Sequence, residues 1–332
     1  MRVAINGFGR IGRTAFRILM EREDAEVVAV NDLTDAKTLA HLLKYDTAYR
    51  IFDREITSKE GAIIVDGREI PVFSEPDPSK LPWGDMNVDV VLECTGRFVK
   101  GDAAKKHIEA GAKRVVLSAP GKGGDIPMYL LGVNSDRYQG EEVVSNASCT
   151  TNCLAPVAQV IHEAFGIEKA MMTTIHSYTA DQNLQDAPHD DLRRARAANQ
   201  NIVPTTTGAA LSIGEVLPDI KGKFDGISVR VPTMIVSLTD FTFLLRRQAT
   251  AEEINESLEQ AARSERYRGI LEVTREPLVS SDFIGNAASS IVDLPLTKVV
   301  DGNLAKVIAW YDNEWGYSNR LVDMAFLVSR NG

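Results

Sequence analysis

Cysteine is scarce. The chain holds three, Cys94, Cys149 and Cys153, an odd and small number for 332 residues. That excludes the disulfide framework of a secreted protein and makes the cytoplasm the expected compartment. Histidine is also sparse. No two of His41, His107, His162, His176 and His189 stand at zinc-ligand spacing, and there is no second cysteine pair, so no metal site is expected. Positive charge is in deficit, with 37 Lys and Arg against 46 Asp and Glu and a net charge of −9. General affinity for nucleic acid or an anionic membrane is thereby excluded, and any anionic ligand needs a local cluster of cations. No apolar run approaches the ~18 residues of a membrane span. MRVAINGFG enters a strand-like run without a charged-then-apolar leader, so no signal peptide is expected. Internal repeats, low-complexity tracts and long linkers are absent.

The remaining composition, 44% hydrophobic and 25% charged, is that of a soluble globular protein, and the length favours two domains. RVAIN (2–6), GRTAFRILMER (12–22) and EVVAVN (26–31) read as strand, helix and strand, the helix through Ala15, Phe16, Ile18 and Leu19. AKTLAHLLKY (36–45) reads as a helix, and residues 62–73 as a hairpin turning at Asp66-Gly67. The runs 88–96 and 114–121 predict strands buried on both faces, with Cys94 in the core and a crossover helix over 102–112. The texture changes near residue 148. The stretches 170–179, 227–248 and 303–312 alternate like longer strands of an antiparallel or mixed sheet, and Thr250 with Glu253 forms a capping box for a helix over 250–264. A C-terminal helix places Leu321, Val322, Ala325 and Phe326 on one face. The expected fold is α/β, a doubly wound dinucleotide-binding domain over 1–148 followed by an α+β domain over 149–315.

Gly7-Phe8-Gly9-Arg10-Ile11-Gly12 follows the first strand and opens the first helix. By itself this pattern is also that of a tight turn. Its context, with Asp32 closing the second strand twenty residues after Gly12, favours a Rossmann-type phosphate turn. Gly7 makes the turn, Gly9 admits a pyrophosphate to the backbone, and Gly12 lets helix and strand approach; the helix N-terminus faces the phosphates. Asp32, if it is not simply a turn or capping residue, accepts hydrogen bonds from a ribose 2′-hydroxyl and repels a 2′-phosphate. NAD is therefore expected over NADP, with NADP use possible.

SNASCTTNCLAPV (145–157) raises the question of what two cysteines four residues apart do. A helix over 150–165 sets Ser148 or Cys149 at its N-cap, where free N–H groups and the helix dipole stabilise a thiolate. Pro156 predicts a kink or an offset start. Cys149 is the nucleophile candidate, and Cys153, one turn further in, is assigned to packing. A cysteine beside a nicotinamide suggests aldehyde oxidation, because a thiohemiacetal carries a hydrogen that can leave as hydride while a base takes the hydroxyl proton. His176 in MMTTIHSYT is the candidate base, with a hydrogen-bonded structural histidine as the alternative. Arg193, Arg194 and Arg196 precede a Thr-Thr-Thr-Gly turn, and Arg230 lies in an apolar strand. Arginine, threonine hydroxyls and turn N–H groups together suit a phosphate.

In order and over essentially the whole chain, NGFGRIGR (6–13), ECTGRF (93–98), SNASCTTNCLAP (145–156), HSYTADQ (176–182), DLRRARAA (191–198), TTTGAA (205–210), RVPT (230–233) and WYDNEWGYS (310–318) resemble the phosphorylating glyceraldehyde-3-phosphate dehydrogenase family. The resemblance implies Cys149 as nucleophile and His176 as general base, hydride transfer to NAD, and thioester phosphorolysis. It implies glyceraldehyde 3-phosphate and inorganic phosphate as substrates. Thr179, Asp181, Arg194 and Arg230 are implied around the substrate phosphate, and Ser148, Thr150, Thr207 and Gly208 around inorganic phosphate. Arg10, Ile11, Asp32, Thr95, Ser118 and Asn313 are implied cofactor contacts. A homotetramer is implied, as is a C-terminal helix (316–332) returning to the coenzyme domain. Ala180, Pro76 and Leu211 depart from the family's usual residues, and Ala187-Pro188 mixes features of NAD- and NADP-using members. The rival readings are erythrose-4-phosphate dehydrogenase, which hydrolyses its thioester, aspartate-semialdehyde dehydrogenase, and a non-catalytic NAD-binding or thiol-sensing descendant.

Overall fold

A computed structural model of the chain describes residues 1–123 and 126–330, so residues 331 and 332 of the expected C-terminal helix lie outside the described residues. The chain forms two compact units. The first holds Met1–Leu131, Ser135–Ala147 and the chain from Ser318; the second holds Gly132–Asn134 and Ser148–Tyr317. The division therefore falls one residue before the expected cut at 148, and a three-residue loop crosses it.

The first unit is built on β1 (Arg2–Asn6), α1 (Arg10–Leu19), β2 (Glu26–Asn31), α2 (Ala36–Lys44), β3 (Ile56–Lys59), β4 (Ala62–Val65), β5 (Arg68–Phe73), β6 (Val90–Glu93), α3 (Gly101–Glu109), β7 (Arg114–Leu117) and β8 (Val143–Ser145). The sheet order is β8-β7-β6-β1-β2-β5-β4-β3. Six strands run parallel, and the β3-β4-β5 meander adds an antiparallel edge. Val3, Ala4, Ile5, Val90, Val91 and Leu92 are fully buried, as expected where helices cover both faces. Asp66 and Gly67 take the positive φ that a two-residue hairpin turn requires. Strand order reverses between β1 and β6, and a ligand crevice forms beyond the carboxyl ends at such a point. Strand β6 stops at Glu93, so Cys94 is not the core residue that the apolar run predicts. It lies just past the strand and lines the crevice described below.

The second unit comprises α4 (Cys149–Phe165), β9 (Ile167–Ser177), β10 (Val203–Thr205), α5 (Ala209–Val216), β11 (Phe224–Val231), β12 (Ser237–Leu245), α6 (Ala251–Arg263), β13 (Leu271–Thr274), β14 (Ser290–Asp293), β15 (Lys298–Val300) and β16 (Leu304–Tyr311). Its mixed sheet runs β10-β11-β9-β12-β16-β14-β13, with β15 on β16. The predicted strand 227–248 is two strands, parted at the turn after RVPT. Thr250 and Glu253 make the expected capping box on α6. Period-two alternation turns Ala170, Met172, Thr174 and His176 of β9 to the buried face, while Met171 is exposed. Helix α4 packs on this sheet and against α5 and α6. Its N-cap is Ser148, whose hydroxyl accepts the Thr151 N–H at 3.1 Å, and it continues through Pro156. Helix α7 (Trp315–Arg330) buries Leu321, Val322, Ala325 and Phe326, with the Arg22 guanidinium 4.3 Å from the Phe326 ring centroid. Among the described residues no helix is long and apolar enough to cross a membrane.

Candidate active site

A crevice of about 330 Å³ opens at the carboxyl ends of β1, β2 and β6, lined by Asn6, Gly7, Gly9, Asp32, Cys94 and Thr95 among others. Gly7 has φ +90°, and a Cβ there would meet Thr95 N at 2.7 Å; one on Gly12 would meet the Gly7 carbonyl oxygen at 2.1 Å. Gly9 differs, because a Cβ there would have no atom within 4 Å, leaving its surface open to a ligand. Gly9 is also the N-cap of α1 and supplies no capping side chain, so the first N–H groups of that helix face the opening. Asp32 braces the turn by accepting Phe8 N–H at 2.8 Å and Thr34 N–H at 2.9 Å. These features fit a dinucleotide pyrophosphate and ribose. Arg10 does not offer its side chain, because the guanidinium is paired with Asp46 and lies 5.7 Å from the Tyr49 ring centroid. It and Ile11 stand at the helix start, where the backbone is what a phosphate meets. Thr95 is bound to Glu93, and Ser118 follows β7, its N–H donated to Glu93 O at 3.0 Å.

In the second unit Cys149 is the first residue of α4 and His176 the penultimate residue of β9. Cys149 Sγ lies 3.6 Å from His176 Nε2. His176 Nδ1 is 2.7 Å from the Ser177 carbonyl oxygen, which can only accept. Nδ1 therefore carries a proton, and Nε2 faces the sulfur. Burial, reinforced by the Arg230 charge and opposed by the Ser177 carbonyl, holds His176 down at about 4, so the ring is neutral near pH 7. Burial pushes the Cys149 thiol up, outweighing the Thr150 hydroxyl and the Arg230 charge. Cys153 is pushed up to about 12 by burial and contacts Ser290 Oγ at 3.6 Å, a packing position. Burial likewise raises Cys94.

The anion candidates converge. The Arg230 guanidinium donates to Thr179 Oγ1 at 2.6 Å and stands 3.9 Å from Asp181; the Thr179 hydroxyl donates to Asp181. Arg194 pairs with Asp181 at 2.6 Å and donates to Thr205 Oγ1 at 3.0 Å and the Thr206 carbonyl at 3.4 Å. Burial works against Asp181 ionising, but the Thr179 bond and the two arginines outweigh it and hold its carboxyl below the usual range. Arg230 Nε is buried and has no hydrogen-bond partner among the described residues, a donor left for an anion. The other threonine set is more dispersed. Thr207 Oγ1 accepts Ala209 N–H at 3.2 Å, and Gly208 is the N-cap of α5 with no side-chain cap. Ser148 is engaged in capping α4, and the Thr150 hydroxyl, 4.0 Å from Cys149 Sγ, also meets Tyr311 Oη at 3.0 Å. Asn313 Oδ1 accepts the Ser177 and Ser237 hydroxyls at 3.0 Å each, which leaves its amide N–H groups to donate.

Several site neighbours lie inside the quoted motifs without an assigned role, or outside them altogether. Tyr311 is fully buried, bonded to Thr150 and to Thr174 at 2.8 Å, and packs edge-on to His176 at 6.0 Å. Ser177, within HSYTADQ, and Ser237 are small polar residues joined by their shared partner Asn313. Asn6, Asn31, Glu93 and His107 form a buried polar chain behind the crevice.

Two domain families match the chain, "Glyceraldehyde 3-phosphate dehydrogenase, NAD binding domain" over residues 1–101 and "Glyceraldehyde 3-phosphate dehydrogenase, C-terminal domain" over 148–313. Among curated proteins, a glyceraldehyde-3-phosphate dehydrogenase of Geobacillus stearothermophilus is 54% identical over 100% of this chain and 99% of its own length. Glyceraldehyde-3-phosphate dehydrogenase 1 of Bacillus cereus is 53% identical with the same coverage. Glyceraldehyde-3-phosphate dehydrogenase 2 of Streptomyces avermitilis is 54% identical over 99% of this chain and 98% of its own.

Proposed function

The chain belongs to the glyceraldehyde-3-phosphate dehydrogenase family, and on that premise we propose that it oxidises glyceraldehyde 3-phosphate with NAD and captures the product as 1,3-bisphosphoglycerate. The observation that carries the reading is the 3.6 Å approach of Cys149 Sγ to a His176 Nε2 whose other nitrogen is tied to Ser177 O. A neutral imidazole with its lone pair on the sulfur takes the thiol proton as the thiolate adds to the aldehyde carbon. The same proton then goes to the new alkoxide, giving a thiohemiacetal on Cys149. His176 Nε2 removes the hydroxyl proton as hydride leaves, and a thioester remains. NAD, when bound, accepts that hydride. The Cys149 backbone N–H and the His176 imidazolium steady the oxyanion. Inorganic phosphate adds to the thioester, and collapse expels the Cys149 thiolate, which takes the proton held on His176.

Thr179, Asp181, Arg194 and Arg230 bind the substrate phosphate in this reading, supported by the unpartnered Arg230 Nε. Ser148, Thr150, Thr207 and Gly208 serve inorganic phosphate. On the cofactor side, Gly7, Gly9, Arg10, Ile11 and Gly12 meet the pyrophosphate through backbone, Asp32 the adenosine ribose, and Thr95 and Ser118 flank the cofactor. Asn313 donates to the nicotinamide amide. Free cysteines suit a reducing compartment, the cytoplasm. A homotetramer is supported by large apolar side chains left exposed on the second unit, Leu192 at 82%, Leu211 at 80% and Ile202 at 71%; sedimentation of the purified chain tests it.

Reduced-nicotinamide absorbance with glyceraldehyde 3-phosphate tests the activity, with NAD against NADP and with or without phosphate. Multiple turnovers that need phosphate and prefer NAD are expected. Phosphate-independent turnover, or no burst with either cofactor, overturns the reading.

A further inference from the structure

The first unit carries a buried polar chain that no step above uses. Glu93, at the end of β6, is 1% exposed. Its Oε2 accepts Asn6 Nδ2 at 2.5 Å and faces His107 Nε2 at 3.0 Å. Its Oε1 accepts the Thr95 N–H at 2.8 Å and also the Thr95 hydroxyl. His107, fully buried in α3, meets Trp83 Nε1 through Nδ1 at 3.0 Å. An indole N–H only donates, so His107 Nδ1 must accept and the ring proton sits on Nε2, directed at Glu93. An imidazolium would set two N–H groups against each other at Trp83. Glu93 is thus a carboxylate met by an amide, an imidazole, a backbone N–H and a hydroxyl, all uncharged.

Such a site does little for stability, since a buried charge replaced by a well-packed apolar side chain often leaves a protein as stable or more so. What the charge does is orient. Asn6 must turn its NH₂ toward Glu93, so its Oδ1 points the other way and accepts Asn31 Nδ2 at 2.7 Å. Asn31 then holds the backbone of Glu75 with two bonds, donating to its carbonyl and accepting its N–H at 2.9 Å each. Asn6, Asn31, Glu75 and Thr95 all line the crevice. One carboxylate therefore fixes three of its walls: the end of β1, the segment after β5, and the turn after β6.

We propose that Glu93, presented with the Nε2–H tautomer of His107, is a positioning residue that pre-shapes the NAD crevice without touching the cofactor. The proposal rests on reading that crevice as the NAD site.

The test is calorimetric titration of the full chain with NAD, alongside Tm, steady-state kinetics and the rate of Cys149 alkylation. Glutamine at 107 keeps one donor and one acceptor, so His107→Gln is expected to bind NAD within about threefold of wild type. His107→Leu and Glu93→Gln each leave a buried donor facing no acceptor and are expected to raise the NAD Kd at least about tenfold. Alkylation of Cys149 and the KM for glyceraldehyde 3-phosphate stay unchanged in both. A folded His107→Leu or Glu93→Gln protein with a lower Tm but wild-type NAD affinity overturns the proposal, as does a His107→Gln protein as weak as His107→Leu. Imidazole ¹⁵N shifts of the wild type, which need no variant to fold, are expected to show His107 protonated on Nε2 alone; any other form overturns it. If wild-type protein binds no NAD, the reading of the crevice falls and takes the proposal with it, whereas weak variants of a binding wild type bear on Glu93 and His107 alone.

Discussion

His176 makes a quantitative demand on how the protein responds to acid. The side chain is 4% exposed and is held neutral down to about pH 4, while an unfolded chain protonates the same imidazole near its ordinary value of 6.5. The folded-state value is depressed, so the stability tied to the neutral ring is fully present above 6.5 and is lost as pH falls from there toward 4. Each unit is worth ~1.4 kcal/mol, so between pH 7.5 and pH 5 the linkage amounts to about 2 kcal/mol. His176→Asn removes the titrating group but keeps a neutral donor for Ser177 O. Urea unfolding of both proteins at the two pH values, followed by circular dichroism, reads the effect as a difference. Wild type is expected to lose about 2 kcal/mol more than the variant on acidification. His162, lowered by burial as well, adds lability of the same sign to both proteins and cancels. Equal losses would refute the argument by showing that His176 titrates normally in the fold. A larger loss in the variant would mean that the resting site holds an imidazolium paired with a thiolate.

Other expectations are separable from this one. Gly12→Ala drives a Cβ to 2.1 Å from the Gly7 carbonyl oxygen and should destabilise the first unit by roughly 2 kcal/mol or more, seen as a lower Tm. Gly9→Ala meets no protein atom, so it should leave Tm within about 2 °C of wild type but weaken NAD binding in a titration. Arg230→Leu removes a guanidinium from the anion cluster and should lower kcat/KM for glyceraldehyde 3-phosphate by about 10- to 100-fold, while iodoacetamide still modifies Cys149. Thr250→Ala breaks the α6 capping box and should cost about 1 kcal/mol in urea unfolding with kcat unchanged.

Local signals made much of this molecule legible. Residues 2–31 announce strand, glycine turn, helix and strand by periodicity, and the Gly7, Gly9 and Gly12 spacing assigns each glycine a different job. The candidate nucleophile was readable because a helix start is a local feature. The upward push on its thiol was not, because burial by distant segments acts against the local donors at Cys149. Cys94 was misplaced for a related reason: an apolar run does not say where pairing stops, and β6 ends one residue earlier. At Arg10 the sequence does not tell a backbone contact from a side-chain one, because Asp46, thirty-six residues away, claims the guanidinium. Asn6 and Glu93 fall within quoted motifs, but no period or spacing joins them to Trp83, His107, Asn31 and Glu75, since these residues meet only once the sheet is assembled.

Strand register carries one further consequence. His176 of β9 stands directly opposite Arg230 of β11 in a parallel ladder that runs unbroken from Ala170 and Phe224. The separation between the proton-accepting ring and the anion-binding guanidinium is therefore set by the pairing of two rigid strands, not by loop length. Such a ruler has discrete marks: adding or deleting one residue inside β11 turns alternate side chains to the opposite face and takes Arg230 away from Thr179 altogether. Lengthening the turn between α5 and β11 leaves the ruler intact. Sequence drift in this scaffold can thus be generous in that turn and very restrictive over 170–177 and 224–231, and a designer seeking a longer or shorter phosphorylated aldehyde must move the anion site by a whole two-residue step.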